Sequence, residues 1–231
     1  MGSWALGQSL TDNWDASDTG WQNGPSAAFS NVQQGATLVL CVYGYTFPNV
    51  PFGTPTSSAG QPVVLAVDTG SVGSVQGACW VVHGAAGGSH ALSNLPDFTG
   101  GDGKLFFAEF RREVGTSTLI YGANTSVVQT FTPPWLDTGT VTMSEAAEPG
   151  DLVIAFGLEE EGSQGSPNTQ FSDPPAGWQS LGAQQATIQN IGGQASWKNA
   201  DSSAAQSATW TWSITGGQDP SLFLGGIFAV R

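Results

Sequence analysis

One pattern in this chain occurs twice, and it limits the fold more than any other feature. Trp80 is followed by a Gly/Ala turn, by His90-Ala91-Leu92-Ser93, and by Gly100-Gly101 before the run Leu105-Phe106-Phe107-Ala108. Trp197 is followed by a Ser/Ala turn, by Ala208-Thr209-Trp210-Thr211-Trp212-Ser213-Ile214, and by Gly216-Gly217 before the run Leu222 to Val230. Trp80 and Leu105 are separated by the same interval as Trp197 and Leu222, and Ala91 and Ala208 fall at matching places within it. Upstream, Ser30 to Leu40 reads like Ser144 to Ile154 with one residue deleted. The chain therefore reads as two related halves, 29–113 and 138–231, joined by a connector at 114–137 and preceded by an N-terminal arm at 1–28. Each half alone would expose apolar faces, so the two are expected to complete one β-sandwich domain spanning 29–231.

The local patterns agree on strands. From Ala36 to Phe47, Leu38, Leu40 and Val42 alternate with Val39, Cys41 and Tyr43, and both sets are apolar. That is the signature of a central strand covered on both faces. Pro48, Pro51, Pro55 and Pro62 mark a loop, because proline cannot donate to a ladder. Further strands are expected at 63–68, 74–82, 89–93, 104–111, 117–121, 126–131, 141–144, 151–158, 178–183, 186–198, 207–214 and 222–230. No apolar recurrence at three and four residues is long enough for a helix. The expected class is all-β, a jelly-roll-like sandwich of two pseudo-repeated halves.

Composition narrows the function classes. Only 10% of residues are charged, while Gly numbers 32 and Trp 9. Few charges with many aromatics is the opposite of a disordered composition. Ser, Thr, Asn, Gln and Gly must then cover the surface, which suits packing into an assembly. With 18 acids against 5 bases the net charge is −13, which disfavours direct binding to nucleic acid or to an anionic membrane. Neither a signal peptide nor an apolar span of membrane length is legible. Cys41 and Cys79 sit at apolar strand positions, where buried free thiols are expected and a single disulfide is the alternative.

Chemistry-bearing motifs are weak. Val64 to Ser71 resembles the active-site strand of pepsin-like aspartic proteases, and Asp137-Thr138-Gly139-Thr140 offers a second copy. The copies lie too close together for two lobes and at unequal places in the repeat, and Asp-Thr-Gly is also an ordinary turn. Glu159-Glu160-Glu161 with Asp173 reads as a solvated acidic loop before it reads as a calcium site or a glycosidase pair. His83 and His90 are too few for a metal, and no nucleophile with its base is visible. No catalytic residue and no cofactor are expected. Trp210 and Trp212 share a strand face, and with Trp80 and Trp197 they are expected in the core.

Gly150-Asp151-Leu152-Val153-Ile154, Trp197, Thr209 to Trp212 and Ile227-Phe228-Ala229-Val230-Arg231 together resemble the β-sandwich accessory and decoration modules of tailed-phage virion proteins. The resemblance covers about residues 28–231. It implies a non-enzymatic head-decoration or tail/fibre subunit located in the virion, contacting capsid or tail subunits and forming a homo-oligomer. Candidate interface residues are Trp4, Trp14, Trp21, Arg111 and Arg112. Glu109, Arg111 and Arg112 interrupt an apolar run, which predicts that their strand lies at an edge or an interface. The alternative is a carbohydrate-binding module or adhesin for host glycan, with Trp135 and Trp178 as stacking platforms.

Overall fold

The computed structural model describes residues 2–14, 21, 26–45, 51–73, 75–98, 103–113, 115–130, 138–161, 170–171, 174–184, 191–213 and 221–231. Among these residues the chain is all-β, in four antiparallel sheets. No helix there is long and apolar enough to cross a membrane.

The first half supplies β1 (Trp4–Trp14), β2 (Ser26–Val32), β3 (Thr37–Tyr45), β4 (Thr56–Ser57), β5 (Val64–Asp68), β6 (Val75–Val82), β7 (Gly88–Ser93) and β8 (Gly103–Arg112). The second supplies β9 (Ile120–Thr130), β10 (Thr138–Thr142), β11 (Leu152–Glu161), β12 (Gln170–Phe171), β13 (Gln179–Gln184), β14 (Ile191–Asn199), β15 (Ser207–Ser213) and β16 (Ser221–Val230). The first half forms a five-stranded sheet in the order β1-β8-β3-β6-β5 and a three-stranded sheet β2-β7-β4. The second forms β9-β16-β11-β14-β13 and β10-β15-β12. Adding eight to each strand number of the first half reproduces the second. Alternation of early and late strands across two facing sheets is jelly-roll topology. Each half is thus a sandwich in its own right, where the sequence reading expected the halves to build one sandwich between them.

Three apolar cores separate the four layers. Leu38, Leu40, Val42, Trp80, Leu105 and Phe107 pack between the two sheets of the first half. Val153, Ala155, Trp210, Trp212, Phe223 and Ile227 do the same in the second. The central core joins the two large sheets: Val39, Cys41, Tyr43, Phe106 and Phe110 meet Ile154, Phe156, Trp197, Leu224 and Phe228. β3 and β11 lie in the middle of their sheets and bury both faces, as double-sided apolar runs require. At the ends of the stack β5 touches β9 and β1 touches β13, the pairing that a two-fold relation between the halves produces.

Two glycines let the large sheets close. A side chain at Gly193 would overlap the Tyr43 ring, and one at Gly77 would overlap Phe156. Tyr43 and Phe156 come from the topological mates β3 and β11, and the two glycines from the mates β6 and β14. The residue-by-residue match seen in the sequence differs. Trp80 and Leu105 point into the core of the first sandwich, whereas Trp197 and Leu222 point into the central core. Side chains alternate along a strand, so a slip of one residue turns matched positions to opposite faces.

Cys41 and Cys79 are directly opposite in the β3–β6 ladder, with Cα atoms 4.1 Å apart, and form a disulfide. The expectation of free thiols is corrected: two adjacent central strands bring them into register, which neither strand pattern shows alone. The proline-marked loop holds the short strand β4, and the two strands expected at 117–121 and 126–131 are one, β9.

Candidate functional site

The tryptophans expected at an interface are used within the chain. Residues 4–14, within the span expected as an N-terminal arm or docked edge strand, form the edge strand β1, paired with β8 along its length. Trp4 is 3% exposed, Trp14 7% and Trp21 6%. Trp14, Trp21 and Phe98 meet edge to face in the core of the first sandwich. Trp4 belongs to the central core and lies 5.3 Å beneath the Arg112 guanidinium. These rings therefore offer no surface to a partner.

Arg111 has a similar internal task. Its Nε and Nη2 each donate to the fully buried Glu109 carboxylate at 3.0 Å, and Gln8 Nε2 and the Gln33 backbone N–H donate at 2.6 and 2.7 Å. Burial pushes the Glu109 pKa up, but these donors outweigh it and hold the carboxyl below its usual range. A buried carboxylate needs such partners, so the charged residues that interrupt the apolar run are a lock between β1, β8 and the turn after β2. β8 lies between β1 and β3 and is not an edge, which corrects the first of the two places expected for it. In the second half Arg231 clamps the fully buried Asp151, with Nη2 at 2.7 Å and Nε at 3.1 Å, while Tyr121 and the Glu148 backbone N–H also donate to it. This lock pins Arg231 to the residue just before β11.

Of the two Asp-Thr-Gly motifs, the first forms a turn after β5, and Thr138 to Thr140 of the second lie in strand β10. Asp68 Oδ1 accepts from the Gly70 N–H at 2.8 Å and from Gln76 Nε2 at 3.0 Å, which is how an aspartate caps a tight turn. Asp137, Asp173 and Trp135 lie outside the described residues, as do the side chains of Glu160 and Glu161. Glu159 is fully buried on β11, whereas the sequence reading put it in a solvated loop. Trp178 is 7% exposed, donates to the Ser207 carbonyl at 3.2 Å and lies under Lys198, so it presents no stacking face to a sugar. His83 Nδ1 is 2.5 Å from Ser117 Oγ, which is 2.5 Å from Thr37 Oγ1. Ser117 is buried, so this chain of contacts ties the start of β3, the bend after β6 and the segment before β9 together and gives a substrate no access to the hydroxyl. Among the described residues no group of three or more His, Cys, Asp or Glu is placed to hold a metal ion.

Exposed apolar side chains are gathered where the two halves meet. β5 and β9, the end strands of the two large sheets, touch along one side of the molecule. Val64 and Leu65 on β5 are 41% and 49% exposed, and Val127 and Val128 on β9 are 45% and 40% exposed. Leu119 precedes β9 and is also exposed. A hollow of about 350 Å³ lies between the strands, lined by Leu65 to Asp68 and Ala123 to Thr125. The sequence missed this seam for a physical reason: an apolar pair such as Val127-Val128 reads as a strand buried on both faces, and only topology places it at a sheet end. A second hollow of about 520 Å³ lies over the sheet β2-β7-β4, with Ser30, Ser58 and Ser89 in its lining.

No protein-family model, no curated protein and no solved structure matches this chain.

Proposed function

We propose that the chain is a non-enzymatic structural protein of a tailed-phage virion, a head-decoration or tail/fibre subunit that works through protein–protein contacts. The observation that carries this reading is the seam, where four large apolar side chains on two adjoining strand ends are 40% exposed or more. Exposed apolar clusters on soluble proteins mark contact sites. Jelly rolls are a recurrent architecture of viral capsid proteins, and a surface with few charges suits close packing between subunits. The buried ion-pair locks serve the fold and leave that seam as the working surface. Mass spectrometry of gradient-purified particles is the test. The chain is expected among the particle proteins, and its absence from particles while it is abundant in the lysate would overturn the reading.

The hydroxyl-lined hollow favours a second reading, recognition of a host glycan, since jelly rolls also serve as lectins. It predicts retention on host polysaccharide that Ser58→Ala and Ser89→Ala weaken. Equal elution of wild type and variants would remove it.

A further inference from the structure

Past the register shift opposite Ile227 and Ala229, the second half of β9 differs from the end strands β1, β5 and β13 in having none of the features that block strand addition. An end strand displays unpaired N–H and C=O groups, and proteins protect it with charges, prolines, bulges or short length. β1 carries Asp12 and a register shift between Leu6 and Gln8. β5 has five residues, a shift between Leu65 and Val67, and Asp68 at its tip. β13 has six residues and a shift between Ser180 and Gly182. On β9 the start is covered: Ser144 donates from N to the Gly122 carbonyl and from Oγ to the Ala123 carbonyl, and Asn124 Nδ2 donates to the Thr142 carbonyl. From Thr125 to Thr130 the strand pairs with β16 in unbroken register and contains no charge, proline or glycine. Its successive Val127 and Val128 are both exposed, one toward each face of the sheet.

From this we infer that β9 is a self-association edge, and that its partner is β9 of a second copy of this chain, paired antiparallel about a two-fold axis. The inference takes its purpose, though not its geometry, from the assembly reading above. Charge selects the occupant. A chain of net charge −13 repels its own copies over most of its surface, and Leu119 to Thr130 is a run with no charge at all. A strand set antiparallel to itself is self-complementary, so each valine meets the neutral Thr, Ser, Val and Gln side chains of the same run. The product is a sheet of twice five strands that runs through both copies, with the backbone groups of both ends satisfied.

Sedimentation equilibrium of the full chain tests it, with wild type, Val127→Glu, Val128→Glu and, as a control for added charge, Ser89→Glu on the remote sheet β2-β7-β4. The wild type and Ser89→Glu are expected to dimerise. Each valine variant is expected to weaken the dimer on the order of a hundredfold, because a two-fold contact repeats every substitution and sets like charges against each other. Unchanged circular dichroism and melting would show that the variants fold. Hydrogen exchange should show the amides of 125–130 slowed in the dimer and fast in the variants. A wild type that stays monomeric, or a dimer indifferent to both valine variants, overturns the inference. Neither result bears on whether the chain is found in particles, which mass spectrometry decides separately.

Discussion

Asn199 holds the backbone of Trp4 from both sides, accepting from its N–H at 2.8 Å and donating to its carbonyl at 3.0 Å across 195 positions of sequence. One amide at the end of β14 thereby replaces a ladder partner for the first residue of β1 and ties the first strand to the second half. Asn199→Ala leaves both backbone groups without their partner and is expected to cost about 2 kcal/mol, measured by chemical denaturation. Asn199→Asp keeps the acceptor but loses the donor and is expected to fall between the two. A neutral Asn199→Ala would show that the tie adds nothing to the β1–β8 ladder.

The disulfide joins neighbouring central strands and closes a loop with a separation of 38 residues. Chain-entropy arguments value such a loop at about 4 kcal/mol. The Cys41→Ala/Cys79→Ala variant is expected to unfold at lower denaturant by that order. Both cysteines are buried, so reductant should act on the native wild type only as fast as it opens. Rapid reduction of the folded protein would contradict the placement.

Tyr43 packs on Gly193 in the central core, and its hydroxyl is buried with no hydrogen-bond partner among the described residues. Burial pushes its pKa well up, so it stays a neutral phenol. Removing an unsatisfied polar group relieves a desolvation cost, and Tyr43→Phe is expected to be neutral or to stabilise by about 1 kcal/mol. Gly193→Ala pushes a methyl group into the same ring and is expected to cost about 1–3 kcal/mol. A marked loss of stability in Tyr43→Phe, read from the denaturation midpoint, would mean that the hydroxyl is bonded.

Acid should destabilise the fold in two stages. His83 and His90 have pKa values lowered by burial from an ordinary 6.5, so below that pH the unfolded chain takes protons that the folded chain resists. Their contribution is complete above about pH 6.5 and declines below it. Glu109 and Asp151 titrate below their ordinary 4.5 and 3.8 because donors and an arginine outweigh burial. Their contribution is present above those values and is lost as the pH falls through the lowered ones. Denaturation midpoints against pH should be level above 6.5, fall gently, and then fall steeply below 4.5. The His83→Gln/His90→Gln variant should flatten only the gentle segment, and a steep segment that survives Glu109→Gln/Asp151→Asn would contradict the second assignment.

The sequence made the strands legible wherever side chains alternate against a core. β3, β11 and β16 emerge close to their true bounds because apolar residues on both faces have no other all-β explanation. β1 reads less clearly because its polar residues Gln8, Ser9, Thr11 and Asn13 also suit turns. The two halves share one strand order, but the residue match read from Trp80 and Trp197 is not the structural one, because the two side chains enter different cores. The cysteine pairing and the exposed seam depend on which strands become neighbours and which end a sheet. Those are long-range facts that periodicity within one strand does not carry.

The working surface proposed for the chain is the pair of end strands β5 and β9 and not a pocket. Hydrogen exchange of the chain diluted to its monomer and in the purified particle tests this most directly. Added protection in the particle is expected to concentrate at Val64 to Asp68 and Leu119 to Thr130. Protection confined to the hollow over β2-β7-β4, or none anywhere, would contradict it.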